Sequence, residues 1–129
     1  MIFDRPTNIE LISAVIDFLD TEIKEELPPH LAFKIRIVTN VLKIVQREID
    51  LGDNLSKDAE DLIKEVIEST QEPSLIELAS SIKEGNIDLD KESLRKALIE
   101  ITKSKISVDN PNYSTFKKIG RASCRERVC

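Results

Sequence analysis

The sequence predicts an all-α fold, a single-domain bundle of about five helices with short connections, and three observations carry that expectation. Apolar residues recur at helical spacing along almost the whole chain, and no stretch keeps the apolar–polar alternation of a strand. Thr7 and Ser74 are each followed three residues later by a glutamate, the reciprocal pattern of a capping box, while prolines and isolated glycines punctuate the ends. The composition, 40% hydrophobic and 33% charged over 129 residues, is that of one ordinary soluble domain.

The first helix starts at Thr7, where Thr7-Asn8-Ile9-Glu10 makes the box. Ile12, Val15, Ile16, Leu19 and Ile23 form its apolar stripe, widened by Leu11 and Phe18, and Pro28-Pro29 ends it. A second helix is expected from about His30 to Asp50, with Gly52 as its stop. Ile35, Val38, Leu42, Val45 and Ile49 mark one face of it, and Phe33, Ile37, Val41 and Ile44 another, as in a helix central to its domain. Its polar line is Arg36, Asn40, Lys43 and Arg47.

Ser56 is the expected start of a third helix, with Asp58, Glu60 and Asp61 near its positive end and Ala59, Leu62, Ile63, Val66 and Ile67 facing inward. A short fourth helix runs from the Ser74 box to Gly85, packing Leu78, Ala79 and Ile82. The fifth is capped by Asp90, buries Leu94, Ala97, Leu98 and Ile101, and stops at Asp109-Asn110-Pro111. The helical domain is expected to span 1–118.

Several kinds of chemistry are excluded by residue type. Before Gly120 the chain has two glycines, Gly52 and Gly85, far apart, so no phosphate-cradling loop exists. The single histidine, His30, has no second histidine or cysteine near it in sequence to make a metal site or an activated nucleophile, and reads as a solvent-facing residue of a first helical turn. No carboxylate pair stands out as a general acid and base. No catalytic residue, metal or cofactor is therefore expected. The net charge is −5, and the residues before Gly120 carry −7, which argues against nucleic acid and anionic lipid as partners. No apolar run approaches a membrane span, and Met1-Ile2-Phe3-Asp4-Arg5-Pro6 is not followed by the apolar core of a signal peptide; the expected location is the cytoplasm.

Two local oddities mark the last helix. Continuing its stripe by four from Ile101 puts Lys105 on the apolar face, where a lysine must snorkel or find an anion. Asp109 sits at the helix's negative end, where a carboxylate is disfavoured. It either starts the Asp-Asn-Pro turn or pairs with a cation, for which Arg36 or Lys105 would serve.

The stretches DRPTNIELISAVIDFL (4–19), LAFKIRIVTNVLKIVQREIDLG (31–52) and LRKALIEITKSKISVDNPNY (94–113) resemble one family. It consists of small bacterial domains of unknown function that begin with Arg-Pro-Thr and end with Val-Asp-Asn-Pro-x-Tyr. The chain matches its pattern at Arg5, Pro6, Thr7, Phe33, Arg36, Asn40, Lys105, Asp109, Asn110, Pro111 and Tyr113, and departs from it at Lys34, where members often carry histidine. The resemblance implies an all-α protein encoded beside an aminoglycoside-phosphotransferase-like kinase and an acyl-CoA dehydrogenase. It would act as a non-catalytic accessory subunit of that kinase in hydroxyacyl-CoA or related acid catabolism. The alternative is a small-molecule module in which Lys105 and the line of Arg36, Lys43 and Arg47 hold an acyl-CoA or similar anion. Phe33, Arg36, Asn40, Lys105, Asp109, Asn110 and Tyr113 are the candidate binding or interaction residues, and a homo-oligomer fits every reading.

Both cysteines of the chain, Cys124 and Cys129, lie in IGRASCRERVC (119–129). This tail resembles a vector-derived read-through found at the end of unrelated sequences, and is expected to be non-native and disordered. A Cys-x4-Cys spacing without further ligands is a weak metal or redox signal.

Overall fold

Thr7 opens the first helix in the way its sequence demands. In a computed structural model, which describes residue 2 and residues 4–113, Thr7 Oγ1 accepts the Glu10 amide at 3.1 Å and the Glu10 carboxylate accepts the Thr7 amide at 3.2 Å. Helix α1 (Asn8–Phe18) then widens into a π turn over Leu19–Ile23 and tightens into a 3-10 turn over Lys24–Glu26. Thr21 donates its hydroxyl to the Asp17 carbonyl at 2.6 Å, the back-bonding that bends helices. Leu27 is extended (φ −102°, ψ 150°), as a residue before proline is driven to be. Pro29 is the first residue of α2 (Pro29–Val66), a position where its missing N–H costs nothing.

Helix α2 is 38 residues long and joins the expected second and third helices into one, so the described residues hold four α-helices rather than five, and no strand. Gly52 explains the difference. A glycine stops a helix by taking up the left-handed conformation; Gly85 does so (φ 74°), whereas Gly52 lies inside α2 with helix on both sides. There it costs up to about 1 kcal/mol relative to alanine, which weakens a helix without ending it. Ser56 is accordingly a mid-helix residue and not a cap.

The chain divides into two compact units, the first ending at Gly52 and the second beginning at Asp53. In the first, Ile16 and Thr39 are buried; Thr39, 2% exposed, satisfies its hydroxyl by donating to the Arg36 carbonyl at 3.0 Å. Gln46 ties α2 to α1, its Nε2 donating to the Ile9 carbonyl at 3.0 Å and to Ser13 Oγ at 2.5 Å. The expectation that α2 is covered around most of its girth is corrected here. Phe33, Ile37, Val38, Val41, Val45 and Ile49 are exposed, as are Leu11, Val15 and Phe18 on α1. A pair of helices can bury only the faces turned toward each other.

The second unit has the larger core: Ile63 and Val66 of α2, Leu78 of α3 (Leu75–Lys83), Ile87, and Leu94 and Ala97 of α4 (Glu92–Asp109), flanked by Leu62, Ile67, Ile82 and Ile101. Ser74 Oγ caps α3 by accepting the Glu77 amide at 3.1 Å. The expected box is half made, because the Glu77 carboxylate turns to the Thr70 hydroxyl. Helix α3 ends in a Schellman motif, with the Gly85 amide on the Ile82 carbonyl and the Asn86 amide on that of Ser81. Asp90 does not cap α4. Lys91 holds that position with no side-chain cap, and Asp88 instead accepts the Asp90 amide in the preceding turn. Ala79 and Leu98, expected inside, are exposed. Among the described residues no helix is long and apolar enough to cross a membrane.

Candidate functional site

The seven candidate residues fall in both units. Phe33, Arg36 and Asn40 lie on α2 in the first, at a spacing (i, i+3, i+7) that puts them on one strip of the helix. All three are exposed, Phe33 at 60%. Phe33 stands in a row of exposed apolar side chains on α2 and is not a lone one. The Arg36 carbonyl is taken by Thr39, which leaves the guanidinium as the part of this residue able to meet a partner.

Lys105, Asp109, Asn110 and Tyr113 lie at the end of α4 in the second unit. The structure corrects the expected placement of Lys105 on the apolar face: its side chain is 76% exposed. The buried line of α4 runs Leu94, Ala97, Ile101, and Lys105 falls on the Leu98 edge of it, where Leu98 itself is exposed. Its ammonium stands 3.9 Å from the Asp109 carboxylate, one turn on. Asp109 is thus paired with one of the two cations named for it. Both groups are open to solvent, so the pair contributes at most about 0.5 kcal/mol. The turn starts one residue later than expected. The Asn110 amide closes α4 on the Ile106 carbonyl at 2.8 Å, and the Asn110 carbonyl accepts the Tyr113 amide at 3.0 Å around Pro111. Tyr113 is about half exposed; Cys124 and Cys129 lie outside the described residues.

Two residues that sequence reasoning passed over hold the elements in place. One is Gln46, described above. The other is Lys91, whose Nζ donates to the Val66 carbonyl at 3.0 Å. Val66 is the last residue of α2, so the cation sits on an unfilled carbonyl at the negative end of the helix. No local pattern announces either contact, because each partner is more than 20 residues away in the chain.

At the other end of the chain, Arg5 bonds Glu10 and, with the Thr7 amide, holds the Glu10 carboxyl below its ordinary range. The second unit also carries an open hollow of about 500 Å³ between Glu68, Glu77, Asn86 and Lys91. None of the seven candidates lines it, and two of its polar groups are already engaged, Glu77 by Thr70 and Lys91 by Val66. Among the described residues no three histidine, cysteine, aspartate or glutamate side chains gather as a metal site. His30 is exposed in the first turn of α2, as expected.

These features define a small all-helical protein with open apolar helix faces and no assembled metal cluster among the described residues. Residues 25–113 match the family model of a domain of unknown function, DUF6285, and the chain belongs to that family. The match ends on Tyr113, the last residue of the Val-Asp-Asn-Pro-Asn-Tyr motif, whereas Arg5-Pro6-Thr7 lies ahead of it. No curated protein and no solved structure matches the chain.

Proposed function

We propose that the protein is a non-catalytic accessory subunit that docks on a phosphotransferase-like kinase acting on a hydroxyacyl-CoA or related acid. The observation that carries this reading is the run of large apolar side chains left open on the first unit, Leu11, Val15 and Phe18 along one side of α1. Exposed apolar surface in that quantity lowers its free energy by covering itself with a partner. The sequence offers no nucleophile–base pair and no phosphate loop that would favour chemistry of its own. The kinase as partner comes from the family resemblance.

The test is co-expression with the kinase encoded beside it. The two are expected to co-purify, with the kinase gaining solubility or activity, and Leu11→Ser with Phe18→Ser is expected to weaken the association. A kinase that is fully soluble and active alone, and never associates, rejects the proposal. Calorimetry of the isolated chain with a panel of acyl-CoAs addresses the alternative. Heat that disappears in Arg36→Ala or Lys105→Ala would favour a small-molecule module.

A further inference from the structure

The exposed ridge of α2 reads nearly the same from both ends. Phe33, Ile37, Val41, Val45 and Ile49 recur at every fourth residue, and all five are exposed, with Val38 beside them. At about 100° per residue the row drifts by about 40° at each step, so Ile37, Val41 and Val45 share one face and Phe33 and Ile49 lie at its two edges. Two charges lie on the same face, each about 20° from Val41 around the helix. Lys34 lies seven residues before Val41 and Glu48 seven residues after it, and both are exposed. At 1.5 Å per residue they are about 21 Å apart along the helix, too far to neutralise each other.

We propose that this face binds a second copy of the chain, with the two α2 helices antiparallel about a two-fold axis at Val41. An axis there reverses the direction of the helix, so position 41 meets itself and positions equally far on either side of it meet each other. Ile37 then comes level with the partner's Val45 on either side of the Val41 contact, while Phe33 and Ile49 line the two opposite edges of the face. Lys34 faces the partner's Glu48, and by symmetry this pair forms twice. The centre of the face is apolar on both copies and each charge meets its opposite. A parallel pairing in the same register would set lysine against lysine and glutamate against glutamate, so the charges select the antiparallel arrangement. The four apolar side chains at the centre, the two charged stems and the edges of Phe33 and Ile49 offer on the order of 400 Å² per copy, about 800 Å² in total, which is the size of a weak, transient interface. The dimer is therefore one whose population rises with protein concentration.

Sedimentation equilibrium of the full chain, in a reducing buffer so that Cys124 and Cys129 cannot link copies, tests this directly. Wild type is expected to show a reversible monomer–dimer equilibrium. Lys34→Glu and Glu48→Lys are each expected to raise its dissociation constant about ten-fold at low salt, since two attractive pairs become repulsive ones. The double variant Lys34→Glu/Glu48→Lys rebuilds both pairs in reverse and is expected to return to within about three-fold of wild type. Val41→Asp sets two carboxylates against each other on the axis and is expected to leave a monomer with unchanged helical circular dichroism. A chain that is monomeric at every concentration, a dimer indifferent to the single swaps, or a double variant that stays as weak as either single one overturns the proposal. The outcome is independent of kinase docking, because a monomeric chain could still co-purify with the kinase.

Discussion

Glu10 does two jobs with one carboxylate: it closes the cap of α1 and it accepts the Arg5 guanidinium. Both contacts favour the charged form, the Arg5 bond more than the Thr7 amide, so its carboxyl titrates below the ordinary carboxylate range. A folded-state value below the unfolded one contributes stability that is fully present above the unfolded value and is lost as the pH falls through the folded one. Arg5→Ala is expected to raise the Glu10 value towards, but not fully to, the ordinary range, because the Thr7 amide remains; carbon-detected NMR titration of the side chain reads this. Lys91 makes the opposite kind of contact, a cation on a helix's negative end. Lys91→Met keeps most of the stem and removes the charge, and is expected to cost about 1 kcal/mol by urea unfolding. Lys105→Ala, by contrast, removes only an exposed pair and is expected to change stability by less than about 0.5 kcal/mol. A large loss there would mean that Lys105 carries more of the fold than its exposure allows.

The two glycines of the described residues have opposite roles in their elements, and opposite substitution effects follow. A Cβ at Gly52 would meet only Glu48 Cγ, at 3.6 Å, an ordinary contact. Gly52→Ala is therefore expected to stabilise the protein by about 0.5–1 kcal/mol, through helix propensity and a less free unfolded chain. A Cβ at Gly85 would touch nothing within 4 Å, yet the residue sits at φ +74°, where an L side chain is strained. Gly85→Ala is expected to cost about 1 kcal/mol, both values being read from urea midpoints at constant slope. The same pair marks how far the elements were legible. The Thr7 box, the Ser74 cap, the stop at Gly85 and the end of α4 at Asp109 are written in three or four consecutive residues, and the structure keeps them. Whether Gly52 breaks a helix is not written locally, because either conformation is open to glycine and the surrounding helix decides. Asp90 and Lys91 differ for a related reason: a cap is chosen by where the backbone turns, and Asp88 had already fixed that turn. At the candidate site, the Lys105–Asp109 pair is visible in the spacing, while the long-range holds of Gln46 and Lys91 depend on how helices are placed side by side.

At the scale of the whole molecule, burial is unequally divided. Every member of the buried apolar cluster belongs to the second unit, while the first buries Ile16 and Thr39 and leaves large apolar residues open along both of its helices. A unit with little buried apolar surface opens at a smaller free energy than one with a well-filled core. Amide hydrogens of α1 are therefore expected to exchange with solvent through smaller openings than those of α4 near Leu94 and Ala97. Self-association adds a second, separable effect. A dimer formed on the α2 ridge stabilises only states in which that ridge is intact, and by mass action the protection grows with protein concentration. Raising the concentration is therefore expected to slow exchange between Phe33 and Ile49 while leaving α3 and α4 unchanged. Val41→Asp is expected to remove that concentration dependence without altering the rates at high dilution. Uniform slowing across all four helices would instead indicate that the two units open together, and would place the stabilising contact somewhere other than the ridge.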